Sequence, residues 1–245
     1  MHPILFEIFG YEVSSFGVLM VLGFLVGTWI TAARLEEYGR DPDLARRILI
    51  WGVVGGLLGA KLYYATDVSL RTGEPFWGLV LYRDGLTWYG GLGGGMALAA
   101  VASRLYGLPL QIFWNSVCIA ACVGQALGRI GCFLNGDDYG RATDIPWGMA
   151  FPQGSPPTTE SVHPTQLYEV GWLLLAAGFL WLRRHKSPWL GGEYLMLTGI
   201  GRAVIETLRV NPRVIFGLTE PQIIGFILFV TGLVTWLRFR AQPNR

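Results

Sequence analysis

Twenty residues from Leu108 to Leu127, LPLQIFWNSVCIAACVGQAL, carry no charged side chain. A helix of about 20 residues matches a hydrocarbon core roughly 30 Å thick. Runs of the same kind recur along the chain. Charged residues make up 15% of the 245 and hydrophobic ones 52%, whereas a soluble domain carries about 25% charge. The chain therefore reads as an all-α, polytopic membrane helical bundle. About seven transmembrane helices are predicted, at 15–34, 48–66, 86–105, 110–134, 166–183, 192–210 and 220–237, with a six-span version that lacks the sixth as the alternative. Residues 1–245 form one integral-membrane domain in this reading.

The start, MHPILFEIFGYEVSSFG, has no basic n-region, and Glu7 and Glu12 interrupt its apolar run. The first span is thus expected to be the insertion signal, with no cleavable leader. Lysines and arginines divide 11 to 8 between the two sides when the N-terminus is placed outside. Setting aside Lys61, Arg129, Arg202 and Arg209, which fall inside predicted spans, leaves 11 against 4. Basic residues favour the cytoplasm, so the N-terminus is expected outside and the C-terminus in the cytoplasm. The segment from about 135 to 165 is then a long extracytoplasmic loop without obvious secondary structure, and such loops are usually functional. A net charge of +2 gives no case for nucleic acid. No internal repeat supports an inverted-repeat transporter.

Cys118, Cys122 and Cys132 lie in one apolar segment and read as packing residues; no metal-ligand spacing appears. Gly52, Gly55, Gly56 and Gly59 fall at helical spacing and suit close helix packing. The glycines after Tyr89 are candidates for close backbone approach to a ligand. Trp88, Tyr89, Tyr168 and Trp189, near span ends, suit the membrane interface.

Charge inside a span is costly and faces the bundle interior or a polar cavity. In the fourth span Gln111, Asn115, Cys118, Cys122, Gln125, Arg129 and Cys132 fall on one helical face. That stripe is expected to line an interior surface leading to Arg129. In the sixth span Arg202, Glu206 and Arg209 fall at i, i+4 and i+7, with Arg202 and Glu206 an expected ion pair. Guanidinium forks match phosphate, and in the outer half of a bilayer a lipid headgroup is the common phosphate. Arg129 is placed to hold one, with Arg202 or Arg209 assisting. Glycines behind Arg129 allow a sharp turn that brings Asp137 and Asp138 back to the site. In VHPTQLYEVGW, Ser161 is the expected cap, Pro164 suits a first helical turn, and Gln166 and Glu169 share a face. An imidazole titrates near neutrality, which makes His163 a candidate base.

The motifs GRIGCFLNGDDYGR, PWGMAF, VHPTQLYE, GGEY and GRAVIETLR, in this order along nearly the whole chain, resemble those of bacterial prolipoprotein diacylglyceryl transferase. The resemblance implies a transferase of the bacterial cytoplasmic (inner) membrane, with its active site towards the extracytoplasmic half. Such an enzyme moves the diacylglyceryl group of phosphatidylglycerol to the thiol of the lipobox cysteine of a preprolipoprotein. A thioether forms and glycerol phosphate is released. The implied partners are phosphatidylglycerol, the lipobox peptide and membrane lipids; no cofactor and no metal are implied.

The resemblance assigns critical roles to Arg129 of the GR-x-G signature and to Arg202 with Glu206. His163 and Tyr89 complete the expected catalytic set. Asn135, Asp137, Gly140 and Gln166 join Arg129 and Arg202 as expected headgroup-binding residues. Four positions depart from the family pattern: Cys132 stands for Asn, Asp137 for Glu, Tyr89 for His and Thr198 for Tyr. A phenol titrates near about 10, so Tyr89 is expected to orient the thiol or phosphate by hydrogen bonding. His163, Glu206 and Asp137 remain alternatives for accepting the thiol proton. Rival readings are a transporter or flippase for an anionic lipid or solute, and a scaffold in which the ion pairs only hold helices together.

Overall fold

The computed structural model describes residues 3–8, 11–82 and 85–241. Among these residues the chain opens with an antiparallel hairpin of β1 (Ile4–Ile8) and β2 (Tyr11–Ser14). Five helices follow: α1 (Ser15–Glu37), α2 (Asp43–Thr72), the short α3 (Phe76–Leu81), α4 (Trp88–Leu105) and α5 (Leu110–Asn135). A second hairpin, β3 (Met149–Phe151) and β4 (Thr158–Val162), precedes α6 (Thr165–Arg183) and α7 (Leu190–Glu206). A third, β5 (Arg213–Ile215) and β6 (Leu218–Thr219), leads into α8 (Glu220–Arg240). Five helices, α1, α2, α5, α6 and α8, are long and apolar enough to cross a membrane.

Helix ends depart from the apolar windows where polar residues continue the helix. α2 starts at Asp43 and runs on through the Asp67–Arg71 pair, stopping at Gly73, whose φ is 77°. α7 stops at Glu206, short of the expected residue 210, because Thr207 and Leu208 turn the chain away. Ser161 does not cap α6. It belongs to β4, and the N-cap is Pro164.

The chain divides into two compact units. The unit spanning Thr31–Phe113 is organised by α2 and α4, which meet along glycines. A Cβ on Gly59 would lie 2.3 Å from the carbonyl oxygen of Gly90, and one on Gly55 2.4 Å from that of Gly94. Backbones that close leave no room for a side chain, and van der Waals packing holds helices together in lipid. Gly90 is therefore occupied by helix packing and is not open to a ligand. The side chains of Trp88 and Tyr89, and so the role expected of Tyr89, lie outside the described residues.

The other unit, Met1–Ile30 with Trp114–Arg245, contains α5 from Trp114 onward and α6 to α8. Its core joins Cys118, Ile119 and Cys122 of α5 to Ala176, Ala177 and Leu180 of α6 and Leu190 of α7. α7 and α8 approach through Gly199 and Gly225 at one level and Gly192 and Gly232 at another. The segment expected to be an irregular loop contains the β3–β4 hairpin. Its backbone is pinned at both ends: Asp137 bridges Ser155, and Ala142 bridges Val162.

Candidate active site

α5 delivers Arg129 less than two turns before its end at Asn135. The chain then turns back through Gly136 (φ 74°) and Asp138 (φ 63°). Two side chains at the start of α6 clamp this turn by its backbone. Thr165 Oγ1 donates to the Asp138 carbonyl at 2.8 Å, and Gln166 Nε2 donates to the Asp137 carbonyl. Gly140 donates its N–H to the His163 carbonyl at 2.8 Å, and Arg141 donates its own to the Leu208 carbonyl at 2.8 Å. Gly140 also bridges Arg209. The turn after α5, the start of α6 and the end of α7 are thus laced together through main-chain bonds.

That lacing brings three guanidiniums and three carboxylates into one network. Arg129 donates through Nη1 to Asp138 Oδ2 at 2.6 Å and pairs through Nε with Glu169 Oε2. Arg202 donates through Nη1 to Glu169 Oε1 at 2.8 Å and lies 3.7 Å from Glu206 through Nη2. Arg209 pairs with Asp138 Oδ1 through Nη2 and approaches Glu169 at 3.5 Å and Glu206 at 3.8 Å. Asn211 Nδ2 donates to Glu206 Oε1 at 2.6 Å. The formal charges cancel. Glu169 and Glu206 are buried, whereas the Asp138 side chain is 42% exposed. Burial disfavours the charged form of Asp138, but Arg209 and Arg129 outweigh it and hold the carboxyl below its ordinary range.

The expected pairing of Arg202 with Glu206 is present, though longer than that of Arg202 with Glu169. Arg209 reaches the network from the turn after α7, not from a helical stripe. The Asp137 carboxylate comes back beside Asp138, within 4.8 Å of it, and its Oδ2 accepts from Asn135 Nδ2 at 2.6 Å. Gln166 is buried beneath the turn, holding its backbone. A Cβ on Gly140 would lie 2.6 Å from the Leu208 carbonyl oxygen and 2.8 Å from Thr165 Cγ2, so that glycine permits the close lacing. The His163 ring lies 3.2 Å from the Tyr168 hydroxyl, which also accepts from Trp147 Nε1 at 2.9 Å. Among the described residues no hydrogen bond or ion pair joins that ring to the three arginines.

Glu169, which no motif or spacing singles out for the site, touches all three arginines. Along the α5 stripe Asn115, Cys118 and Cys122 are buried, as an interior surface requires. Asn115 accepts the Gly191 N–H, Cys118 and Cys122 are buried in the core, and Gln125 donates to the Tyr194 hydroxyl at 2.6 Å. It is a packed helix interface, which offers no support for a transport route. Cys132 Sγ and oxygens of Asp137 and Asp138 lie within 4.8 Å of one another. Both Asp138 oxygens already face guanidiniums, so a cation there would have to displace them.

The family described as prolipoprotein diacylglyceryl transferase matches residues 3–238. A phosphatidylglycerol–prolipoprotein diacylglyceryl transferase of Clostridium tetani is 32% identical over 254 residues, covering 99% of this chain and 100% of the relative. Its counterpart in Thermotoga maritima is 30% identical over 257 residues, with 98% and 86% covered. That of Synechocystis is 29% identical over 261 residues, with 99% and 91% covered. The chain belongs to the prolipoprotein diacylglyceryl transferase family.

Proposed function

We propose that this chain transfers the diacylglyceryl group of phosphatidylglycerol to the lipobox cysteine of a preprolipoprotein. The observation that carries the reading is the convergence of Arg129, Arg202 and Arg209 on shared carboxylates. Arginine forks match phosphate oxygens, and in a water-poor site they act strongly on developing charge. The cysteine sulfur attacks the glyceryl carbon and forms the thioether. The carbon–oxygen bond to phosphate breaks, and its electron pair leaves with glycerol phosphate. The arginines stabilise that departing charge and favour the incoming thiolate, whose formation nearby cations assist.

A network of zero formal charge must make room for an anionic substrate. In this proposal the headgroup phosphate takes the place of Asp138, the most exposed of the three carboxylates, against Arg129 and Arg209. Glu169 and Glu206 stay in place and keep the guanidiniums aligned. Asn135, Asp137, Gly140 and Gln166 support the turn against which the headgroup rests. His163, beside Tyr168, is the proposed acceptor of the thiol proton. The two compact units belong to one integral-membrane domain with seven spans, the N-terminus outside and the C-terminus in the cytoplasm. The site faces the extracytoplasmic half of the bacterial inner membrane.

Mass spectrometry of a lipobox peptide incubated with the purified protein and phosphatidylglycerol tests the reading. The peptide is expected to gain one diacylglyceryl group on its cysteine. Arg202→Lys keeps the charge but loses the fork, and is expected to lower product formation by roughly 100-fold. Full product formation by that variant contradicts the role given to Arg202.

A further inference from the structure

We infer that the unit built from α5 to α8 carries a second lipid site, for the phosphate headgroup and an acyl chain of an anionic lipid, at the far end of α6. Glu169 lies near the start of α6 and Arg183 at its end. Their separation corresponds to about 21 Å along a helix axis. This site is therefore distinct from the arginine–carboxylate network, and it does not rest on the transferase reading.

From Arg183 to Pro188 the chain reads RRHKSP ahead of α7, and α8 ends with Arg238 and Arg240 in its last turn. A pocket of about 610 Å³ opens between these segments, lined by Arg183, His185, Lys186, Trp236, Phe239 and Arg240. A second cavity of about 340 Å³ shares Arg183 and Trp236 with it. Phe179, Met196, Leu197 and Leu233 make this second wall apolar. A basic mouth thus continues into an apolar groove between α6, α7 and α8.

Glu193 is the one carboxylate lining either cavity among the described residues, and it is already engaged. Arg183 donates to it through Nε at 2.8 Å and Nη2 at 2.6 Å, Ser187 Oγ at 2.8 Å and Trp236 Nε1 at 3.1 Å. These bonds neutralise Arg183 and fix Trp236 as the wall common to both cavities. Lys186 and Arg240 have no carboxylate partner among the described residues, and Arg240 lies over the Trp236 ring at 5.2 Å. Two cations without a carboxylate partner among the described residues, set at the mouth of an apolar groove, match a phosphate with a hydrocarbon chain attached. Basic pockets between membrane helices recognise anionic headgroups in this way. A free phosphate would fill the mouth alone, and a zwitterionic lipid would not answer the excess charge.

The test is native mass spectrometry of the full chain in detergent, titrated with phosphatidylserine, an anionic lipid other than the expected substrate. The double variant Lys186→Gln/Arg240→Gln is expected to weaken one phosphatidylserine binding event by roughly tenfold or more. It should leave peptide lipidation within twofold of the parent chain. Leu233→Trp, which fills the groove and leaves the cations in place, should weaken the same event. Phosphatidylcholine should bind more weakly than phosphatidylserine, and inorganic phosphate alone should not displace the lipid. Equal lipid binding by parent and double variant, equal binding of the two lipids, or full displacement by inorganic phosphate would overturn the inference.

Discussion

Arg202 and Glu169 meet at 2.8 Å, Nη1 to Oε1, across the interface of α6 and α7. The same carboxylate also pairs with Arg129 and approaches Arg209 at 3.5 Å. One acidic side chain thus holds the register of three cations. Glu169→Gln keeps the volume and removes the charge. Breaking a buried pair by neutralising one partner costs about 3–5 kcal/mol. The variant is expected to melt at a lower temperature in detergent and to lose transfer activity by at least roughly 100-fold, since small misplacements of positioning groups carry costs of that size. Unchanged melting and turnover would remove Glu169 from the centre of the network.

Asp138 offers a test of the displacement step. If the headgroup phosphate competes with this carboxylate, Asp138→Asn frees Arg129 and Arg209 and should lower KM for phosphatidylglycerol by several-fold. The pH dependence follows from the depressed carboxyl. A group lowered in the folded state stabilises it fully above its unfolded value near about 3.9, and that contribution is lost as pH falls through the folded value. The melting temperature of the parent chain relative to Asp138→Asn should therefore be constant from neutral pH down to about pH 5, and the difference should shrink in more acid solution. A difference that instead grows below about pH 5 would contradict the pairing.

Gly140→Ala tests the lacing of the turn. The added methyl would press on the Leu208 carbonyl and on Thr165 Cγ2, so the turn must move off α6 or off Leu208 and Arg209. Overpacking of this kind costs about 1–3 kcal/mol. Turnover is expected to fall further than stability alone accounts for, because Asp138 and Arg209 move together. Measuring kcat on protein still folded at the assay temperature separates the two effects; an unchanged kcat would make the lacing incidental to activity.

Arg129 was legible because charge in a membrane-length apolar run has few tolerable places to go. Arg202 and Glu206 were legible as a helical pair one turn apart. Arg209 continued their spacing on paper, but no glycine or proline at 207–208 announces that the helix ends at Glu206. Glu169 sits one turn into α6 with ordinary amphipathic neighbours, and only the packing of α6 against α5 and α7 gives it three arginines. Asp138, in a glycine-rich turn, looks solvated until the backbone clamps from Thr165 and Gln166 are seen. The β3–β4 hairpin was hidden for a similar reason. Its strands are three and five residues long and are set among prolines and glycines, too short to show an alternating pattern. The polar stripe on α5 was visible, but periodicity does not distinguish a cavity wall from a helix interface.

The most direct measurement is glycerol phosphate release by the purified protein in detergent, with phosphatidylglycerol and a lipobox peptide, against the same peptide carrying serine for cysteine. The account predicts release that requires the cysteine and is abolished in Arg129→Ala protein that still folds. Release that is indifferent to the cysteine, or no release from folded protein that binds the lipid, would contradict it.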